Sequence, residues 1–190
     1  MQRPLKLLIL GLVIVAGVVA WILFRSTDEQ LVMDLVAELP AAKARQPAPE
    51  VFSVVTATLA DETREAIHVA QPSRLIWEIT VPDNAWLAFS IGLQPEAWTV
   101  PGDGVLFLVG VSDMGPDGYE EVFSSTVNPS ANPGDRRWHH LSVDLSPYAG
   151  KRVELILNTR ASPPAPPGAP QPNDQAGDLA LWGVPRVIVR

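Results

Sequence analysis

The sequence predicts a mainly β fold: an antiparallel jelly-roll β-sandwich of eight or nine strands, preceded by one N-terminal transmembrane helix and a short juxtamembrane helix. Three observations lead to this prediction. Nineteen prolines in 190 residues are too many for a mainly helical chain. An uninterrupted apolar run occupies residues 7–24. Beyond residue 50, short runs of alternating apolar and polar residues are separated by turn-forming sequences.

Residues 1–25 are predicted to form a membrane anchor. The apolar run from Leu7 to Phe24 would span roughly 27 Å as a helix, enough for the hydrocarbon core of a bilayer. Arg3 and Lys6 precede it, which favours a cytoplasmic N-terminus and a C-terminal domain in the periplasm or outside the cell. A cleaved secretory signal is the alternative, but the run is long for one and Val19–Trp21 makes a poor cleavage site.

Residues 26–50 are predicted to form a juxtamembrane helix, at about 28–39, and a Pro/Ala-rich linker. Pro40 would end the helix, so the folded domain is expected at 51–190. An apolar stripe at helical spacing either rests on the membrane or its own domain, or binds a partner protein. The residues of this predicted partner-binding stripe are Leu31, Val32, Leu35, Val36 and Leu39.

Alternation of apolar and polar residues predicts nine strands in the folded domain, with turn sequences such as Pro-Gly-Asp-Gly between them. Residues 161–177 form a Pro-rich loop that either contacts a partner or is simply solvated. The predicted strands are Val51–Leu59, Glu65–Val69, Leu75–Val81, Trp86–Leu93, Val105–Val111, Tyr119–Val127, Trp138–Asp144, Arg152–Thr159 and Leu179–Val189.

Composition excludes several classes of function. Without cysteine the chain has no disulfide, thiolate metal site or cysteine nucleophile. A net charge of -7 without a clustered basic face argues against nucleic-acid binding. None of the common hydrolase, zinc-protease or phosphate-loop motifs occurs, so we expect no enzymatic activity and no cofactor.

Two tryptophans are candidates for ligand binding. Trp86 and Trp138 would each offer a flat indole face to a sugar ring. The alternative is that these side chains fill the sandwich core or close one of its ends.

A group of acidic residues around two glycines is a candidate calcium site. Carboxylate oxygens on a Gly-rich loop are the ligands that calcium prefers, although the spacing differs from that of the twelve-residue calcium loop. The alternative is an ordinary solvated turn. The four residues are Asp113, Asp117, Glu120 and Glu121.

The C-terminal third resembles galactose-binding-like jelly-roll domains of the carbohydrate-binding-module type. Trp138, the run Val143–Lys151 and the run Gly177–Pro185 match their recurring strand, "DLS-x-YAGK" turn and closing "WG-x-P" strand. The resemblance implies the jelly-roll fold and a frequent structural calcium ion. It leaves function open, since these domains bind sugars, bind proteins or hold assemblies together.

The function predicted from these features is non-enzymatic. We expect an extracytoplasmic accessory or structural subunit that docks on integral-membrane protein subunits and stabilises a larger membrane complex. Its contacts would be the bilayer through residues 7–24 and the apolar stripe of the juxtamembrane helix. The alternative is a membrane-tethered carbohydrate-binding module, with carbohydrate as the partner.

Overall fold

The structure, a computed structural model, describes residues 29–69, 72–113, 118–161 and 179–190. The predicted transmembrane helix and residues 162–177 of the predicted Pro-rich loop lie outside these ranges. Within them, no helix combines the length and the apolar character needed to cross a membrane.

The described residues form eleven strands joined by turns and short 3₁₀ helices. The strands are β1 (Gln30–Asp34), β2 (Ala44–Gln46), β3 (Phe52–Leu59), β4 (Glu62–Val69), β5 (Ser73–Thr80), β6 (Ala85–Leu93), β7 (Val105–Ser112), β8 (Tyr119–Val127), β9 (His139–Asp144), β10 (Arg152–Ala161) and β11 (Ala180–Val189).

Two antiparallel sheets make up the fold. The six-stranded sheet has the order β3-β4-β11-β6-β9, with β1 also paired to β11, and the five-stranded sheet has the order β2-β5-β10-β7-β8. From β4 onward most connections cross from one sheet to the other, and late strands insert between early ones. This is the strand arrangement of a jelly roll. The predicted antiparallel β-sandwich is therefore confirmed.

The core lies between the two sheets and is built from alternate residues of each strand. Trp182 of β11 is at its centre, with its ring centroid 5.1 Å from that of Phe107 and 5.6 Å from that of Phe89. Leu155 and Leu157 of β10 are fully buried beside them. Period-2 alternation identified these positions because successive strand residues face opposite sides of the sheet.

The juxtamembrane helix predicted at 28–39 is wrong. Residues 30–34 form β1, which pairs with β11 in the register Gln30↔Val189 to Asp34↔Arg186. The chain then makes one turn, in which Asp34 Oδ1 accepts hydrogen bonds from the Val36 and Ala37 amides. The strand forms because β11 offers unpaired backbone groups, and pairing with them outweighs a weak local helix propensity.

The predicted start of the folded domain at Val51 is also too late. The compact unit that holds both sheets extends from Gln30 to Val189. Besides β1, it includes β2, which pairs with β5 in the register Ala44↔Ile76 to Gln46↔Arg74. The nine predicted strands correspond to β3–β11, and the two additional strands lie in the region predicted to be helix and linker.

Candidate functional site

A cleft lies at one end of the sandwich, where β2 and β10 end and β5 begins. We call it the end cleft; its volume is about 560 Å³. Its lining residues are Gln46, Pro47, Pro72, Ser73, Arg74, Asn158, Thr159, Arg160 and Ala161.

Strand pairing places three planar polar side chains in one row across this cleft. Gln46 of β2 is opposite Arg74 of β5, and Arg74 is opposite Asn158 of β10. Arg74 Nε donates a hydrogen bond to Asn158 Oδ1 at 3.0 Å. One residue further along, the hydroxyls of Ser73 and Thr159 are 2.8 Å apart. The row therefore offers both donors and acceptors in fixed positions.

Asn158 is the exceptional member of this row. Its side chain is only 2% exposed, and its Nδ2 atom has no hydrogen-bond partner. Leaving a buried N–H unpaired costs roughly 1–3 kcal/mol, so such groups call for an explanation. A ligand oxygen bound in the end cleft would supply the missing acceptor. The rings of Pro47 and Pro72 add apolar surface beside these polar groups.

The prediction of Trp138 as a sugar-binding residue is wrong, because its indole is 3% exposed. The ring packs on the outer face of the six-stranded sheet in a second small cluster with Leu59 and Leu181. Its Nε1 donates to the Glu62 carbonyl oxygen at 3.0 Å. A Cβ added at Gly183 would come within 2.8 Å of this ring, so a glycine in a central strand was the sequence signal for close packing there.

Trp86 is half-buried in β6, on the outer face of the six-stranded sheet. It is not among the described residues that line the end cleft. Its predicted role in sugar binding therefore stays a prediction, separate from the end cleft.

The predicted partner-binding stripe does not exist as one surface. Leu31 and Val32 are 56% and 47% exposed in β1. In contrast, Leu35, Val36 and Leu39 are buried in the main core of the sandwich. The predicted stripe requires a helix, in which these five residues would share one face. In the strand and the turn they lie in different surroundings, two of them exposed and three buried.

Two of the four acidic residues predicted to bind calcium, Asp113 and Glu120, line one pocket of about 170 Å³ in the part of the chain that the structure describes. No group of three or more potential metal ligands occurs there, and Asp117 lies outside it. Glu120 and Glu121 are consecutive in β8, so their side chains point to opposite faces. Glu120 instead accepts a 2.6 Å hydrogen bond from the Tyr148 hydroxyl. Burial, with the neighbouring Glu120, raises the pKa of Tyr148 to about 12.

Sequence patterns did not identify Arg74 and Asn158 as candidate site residues. Asn158 follows an apolar run in β10, where a buried polar residue is unusual, and that was the available signal. Its pairing with Arg74 joins positions 84 residues apart in the chain, and spacing does not show such a contact.

Part of this sequence is shared with a protein of Archaeoglobus fulgidus. No protein-family model matches the chain. An uncharacterized protein of Archaeoglobus fulgidus is 44% identical over 112 residues, which are 58% of this chain and 25% of that protein. The chain thus corresponds to about a quarter of its relative's length.

Two solved structures of Clostridium perfringens ZmpB are similar in fold. One, of the M60 catalytic domain with CBM51-1 and CBM51-2, gives a TM-score of 0.54 at 16% identity and covers 78% of this chain and 14% of that one. The other, of CBM51-2 and INT domains, gives a TM-score of 0.52 at 16% identity. This match covers 78% of this chain and 30% of that one. The chain therefore shares its β-sandwich fold with a domain of these structures.

Proposed function

We propose that this protein is a non-catalytic carbohydrate-binding module whose sugar ligand binds in the end cleft. The row formed by Gln46, Arg74 and Asn158 is the observation that carries the proposal, above all the buried and unpaired Nδ2 of Asn158. Sugar hydroxyls both donate and accept hydrogen bonds, so they complement a row that mixes amides with a guanidinium. Both ZmpB structures that share this fold contain CBM51 domains, which supports a carbohydrate as the ligand.

The accessory-subunit hypothesis loses one of its three supports. It drew on the membrane anchor, the apolar juxtamembrane helix and the Pro-rich loop, and the segment predicted to be that helix is instead β1 followed by a turn. Leu35, Val36 and Leu39, three of the five residues of the predicted stripe, are buried in the core of the domain.

Sugar titrations of the full-length protein test the proposal. Galactose, glucose, mannose and N-acetylglucosamine are added in turn, and binding is measured by calorimetry. The decisive variant is Asn158→Asp, which keeps the acceptor for Arg74 Nε but removes the unpaired N–H. Because a hydrogen bond to the ligand is lost, we expect binding to weaken about tenfold, with unfolding stability preserved.

Trp86→Ala is the comparison variant, since Trp86 is the predicted sugar platform outside the end cleft. We expect it to bind sugar as the wild type does. Loss of binding in Trp86→Ala together with full binding in Asn158→Asp would contradict the proposed site. If none of the four sugars binds, the proposal that the ligand is a sugar is contradicted.

A further inference from the structure

Strand β3 lies at one edge of the six-stranded sheet, and among the described strands it pairs with β4 alone. The pairing runs without a β-bulge over all eight residues of β3, from Phe52↔Val69 to Leu59↔Glu62. Leu59 and Glu62 close the hairpin over a two-residue turn, so they form a hydrogen-bonded pair. The backbone groups of the alternate residues therefore point away from β4. These residues are Phe52, Val54, Thr56 and Thr58.

Contacts on both faces of the sheet hold β3 in place. Phe52 packs in the main core of the sandwich. On the opposite face, Ala57 and Leu59 are buried in the second small cluster. The Thr58 and Thr63 hydroxyls are 2.8 Å apart across the hairpin. The open side of β3 is therefore a regular row of backbone N–H and C=O groups on a strand that is fixed by packing.

The side chains of β3 leave this row of backbone groups accessible. No charged residue, proline or glycine occurs between Phe52 and Leu59. Val54 is 47% exposed, and Thr56 and Thr58 on the same face are also exposed. Edge strands of natural sheets usually carry a charge, a proline or a bulge, because an unprotected edge pairs with other strands. β3 has none of these protections.

The other outer strands in the described part of the chain are protected. β8 carries Glu120 and Glu121 and has a bulge where it pairs with β7. β2 is three residues long and is followed by Pro47. β9 has only six residues and ends at Asp144, and the pairing of β1, which ends at Asp34, contains a register shift. β3 is thus the described edge best suited to accept a further strand.

We propose that β3 is a self-association surface, on which the β3 strand of a second copy of this chain pairs antiparallel about a two-fold axis. The occupant is a second copy because β3 is complementary to itself. Antiparallel pairing of two identical strands satisfies two-fold symmetry, and neither strand carries a charge that would oppose a like charge. With the axis at Thr56, this residue lies opposite its counterpart, and Val54 lies opposite Thr58 of the second copy. All of these residues have outward backbone groups, so faces and hydrogen bonds match.

Charges on the neighbouring strand do not oppose this pairing. Glu65 of β4 lies opposite Thr56 and is the acidic residue nearest the axis. In the paired sheets the two Glu65 residues would be three strand spacings apart, about 14 Å, which exceeds the Debye length of about 8 Å at physiological ionic strength. The end cleft is built from β2, β5 and β10 of the other sheet, so the proposal does not rest on a sugar ligand.

A single introduced cysteine tests the contact directly, because the chain contains no cysteine of its own. Thr56→Cys and Ser124→Cys place a thiol on the β3 edge and on the β8 edge, at positions that are both exposed. The full-length protein in detergent is oxidised gently, and covalent dimer is measured on a non-reducing gel. We expect about tenfold more dimer from Thr56→Cys, because opposite Cβ atoms of a strand pair are about 5 Å apart, close to the separation in a disulfide. Equal yields, or a higher yield from Ser124→Cys, would overturn the proposal.

Lysine at the same two positions tests whether the pairing drives association. The molar mass of the full-length protein is measured by light scattering as a function of concentration. Wild type and Ser124→Lys should form dimers with the same Kd, and Thr56→Lys should raise that Kd by about tenfold or more, because it places two like charges opposite each other. A wild-type protein that stays monomeric throughout, or a dimer unaffected by Thr56→Lys, would overturn the proposal. Should Thr56→Lys fail to fold, Val54→Lys replaces it, with the same expected loss and the same contrary result.

Discussion

Two glycines make room for the Trp138 indole on the outer face of the six-stranded sheet. A Cβ at Gly92 would approach the Leu59 side chain to 2.4 Å, and one at Gly183 would approach the Trp138 ring to 2.8 Å. Interiors are packed densely enough that neither methyl group fits without movement. Trp138 is therefore a structural residue that closes a second, smaller core.

Trp138→Ala should lower the free energy of unfolding by about 3–5 kcal/mol, as expected for a large aromatic side chain removed from a core. Urea denaturation of the variant beside the wild type measures this loss. Trp86→Ala is the matched control, since its indole is only half-buried, and it should cost clearly less. Equal losses in the two variants would show that Trp138 is not a core residue.

Two partly buried histidines should make stability depend on pH. Burial lowers the pKa of both His68 and His139 below the ordinary value of 6.5, because a desolvated imidazole holds a proton less readily. Below that value the unfolded chain binds protons that the folded chain does not bind. Their stabilising effect is therefore complete above pH 6.5 and is lost as pH falls through the folded pKa values.

We expect the free energy of unfolding, measured in urea, to be lower at about pH 5.5 than at about pH 7.5. The double variant His68→Gln, His139→Gln should show a smaller difference between the two conditions. Both conditions lie above the ordinary pKa values of aspartate and glutamate, which limits their contribution. An undiminished difference in the double variant would rule out these histidines as its source.

At the scale of the element, β1 and the turn after it join the N-terminal segment to the sandwich. The Leu35 amide donates to the Pro185 carbonyl at 3.0 Å, and the Leu35 side chain is fully buried. Leu31, four residues earlier, is 56% exposed on the strand. A helix would place both on one face, whereas the strand and turn separate them.

Leu35→Ala should cost roughly 2–5 kcal/mol of stability, and Leu31→Ala should change it by less than about 0.5 kcal/mol. Thermal or urea unfolding of the two variants measures the contrast. Similar effects of the two substitutions would contradict the β1 pairing and favour the helical stripe predicted from sequence.

At the scale of the whole molecule, the apolar run at 7–24 predicts that the sandwich is displayed outside the cytoplasm. Two cations before this run favour a cytoplasmic N-terminus. A reporter that is active only in the cytoplasm, fused after Arg190, should therefore give no signal. The same reporter fused before residue 7 should be active. A strong signal from the C-terminal fusion would contradict the predicted topology.

Much of the fold was predictable because strand alternation is a local property. The β3–β11 strands and the inward positions of Trp77, Phe107 and Leu155 follow from period-2 patterning and turn residues. The segment at 30–39 was not predictable in this way. Its apolar spacing suits a helix, and only the open edge of β11, some 150 residues later in the chain, makes it a strand.

By itself the sequence determined the fold class and its main core, because alternation, prolines and turn residues act on neighbouring positions. It also excluded disulfides and cysteine nucleophiles, because the chain contains no cysteine. Only the tertiary structure decided which side chains meet. Strand pairing joins Arg74 to Asn158, and the order of strands β4, β11, β6 and β9 brings Arg64, Ser90 and His140 to one groove. Both groups of residues are brought together by contacts between distant strands, since strand register is set by the packing of the whole sandwich rather than by local spacing.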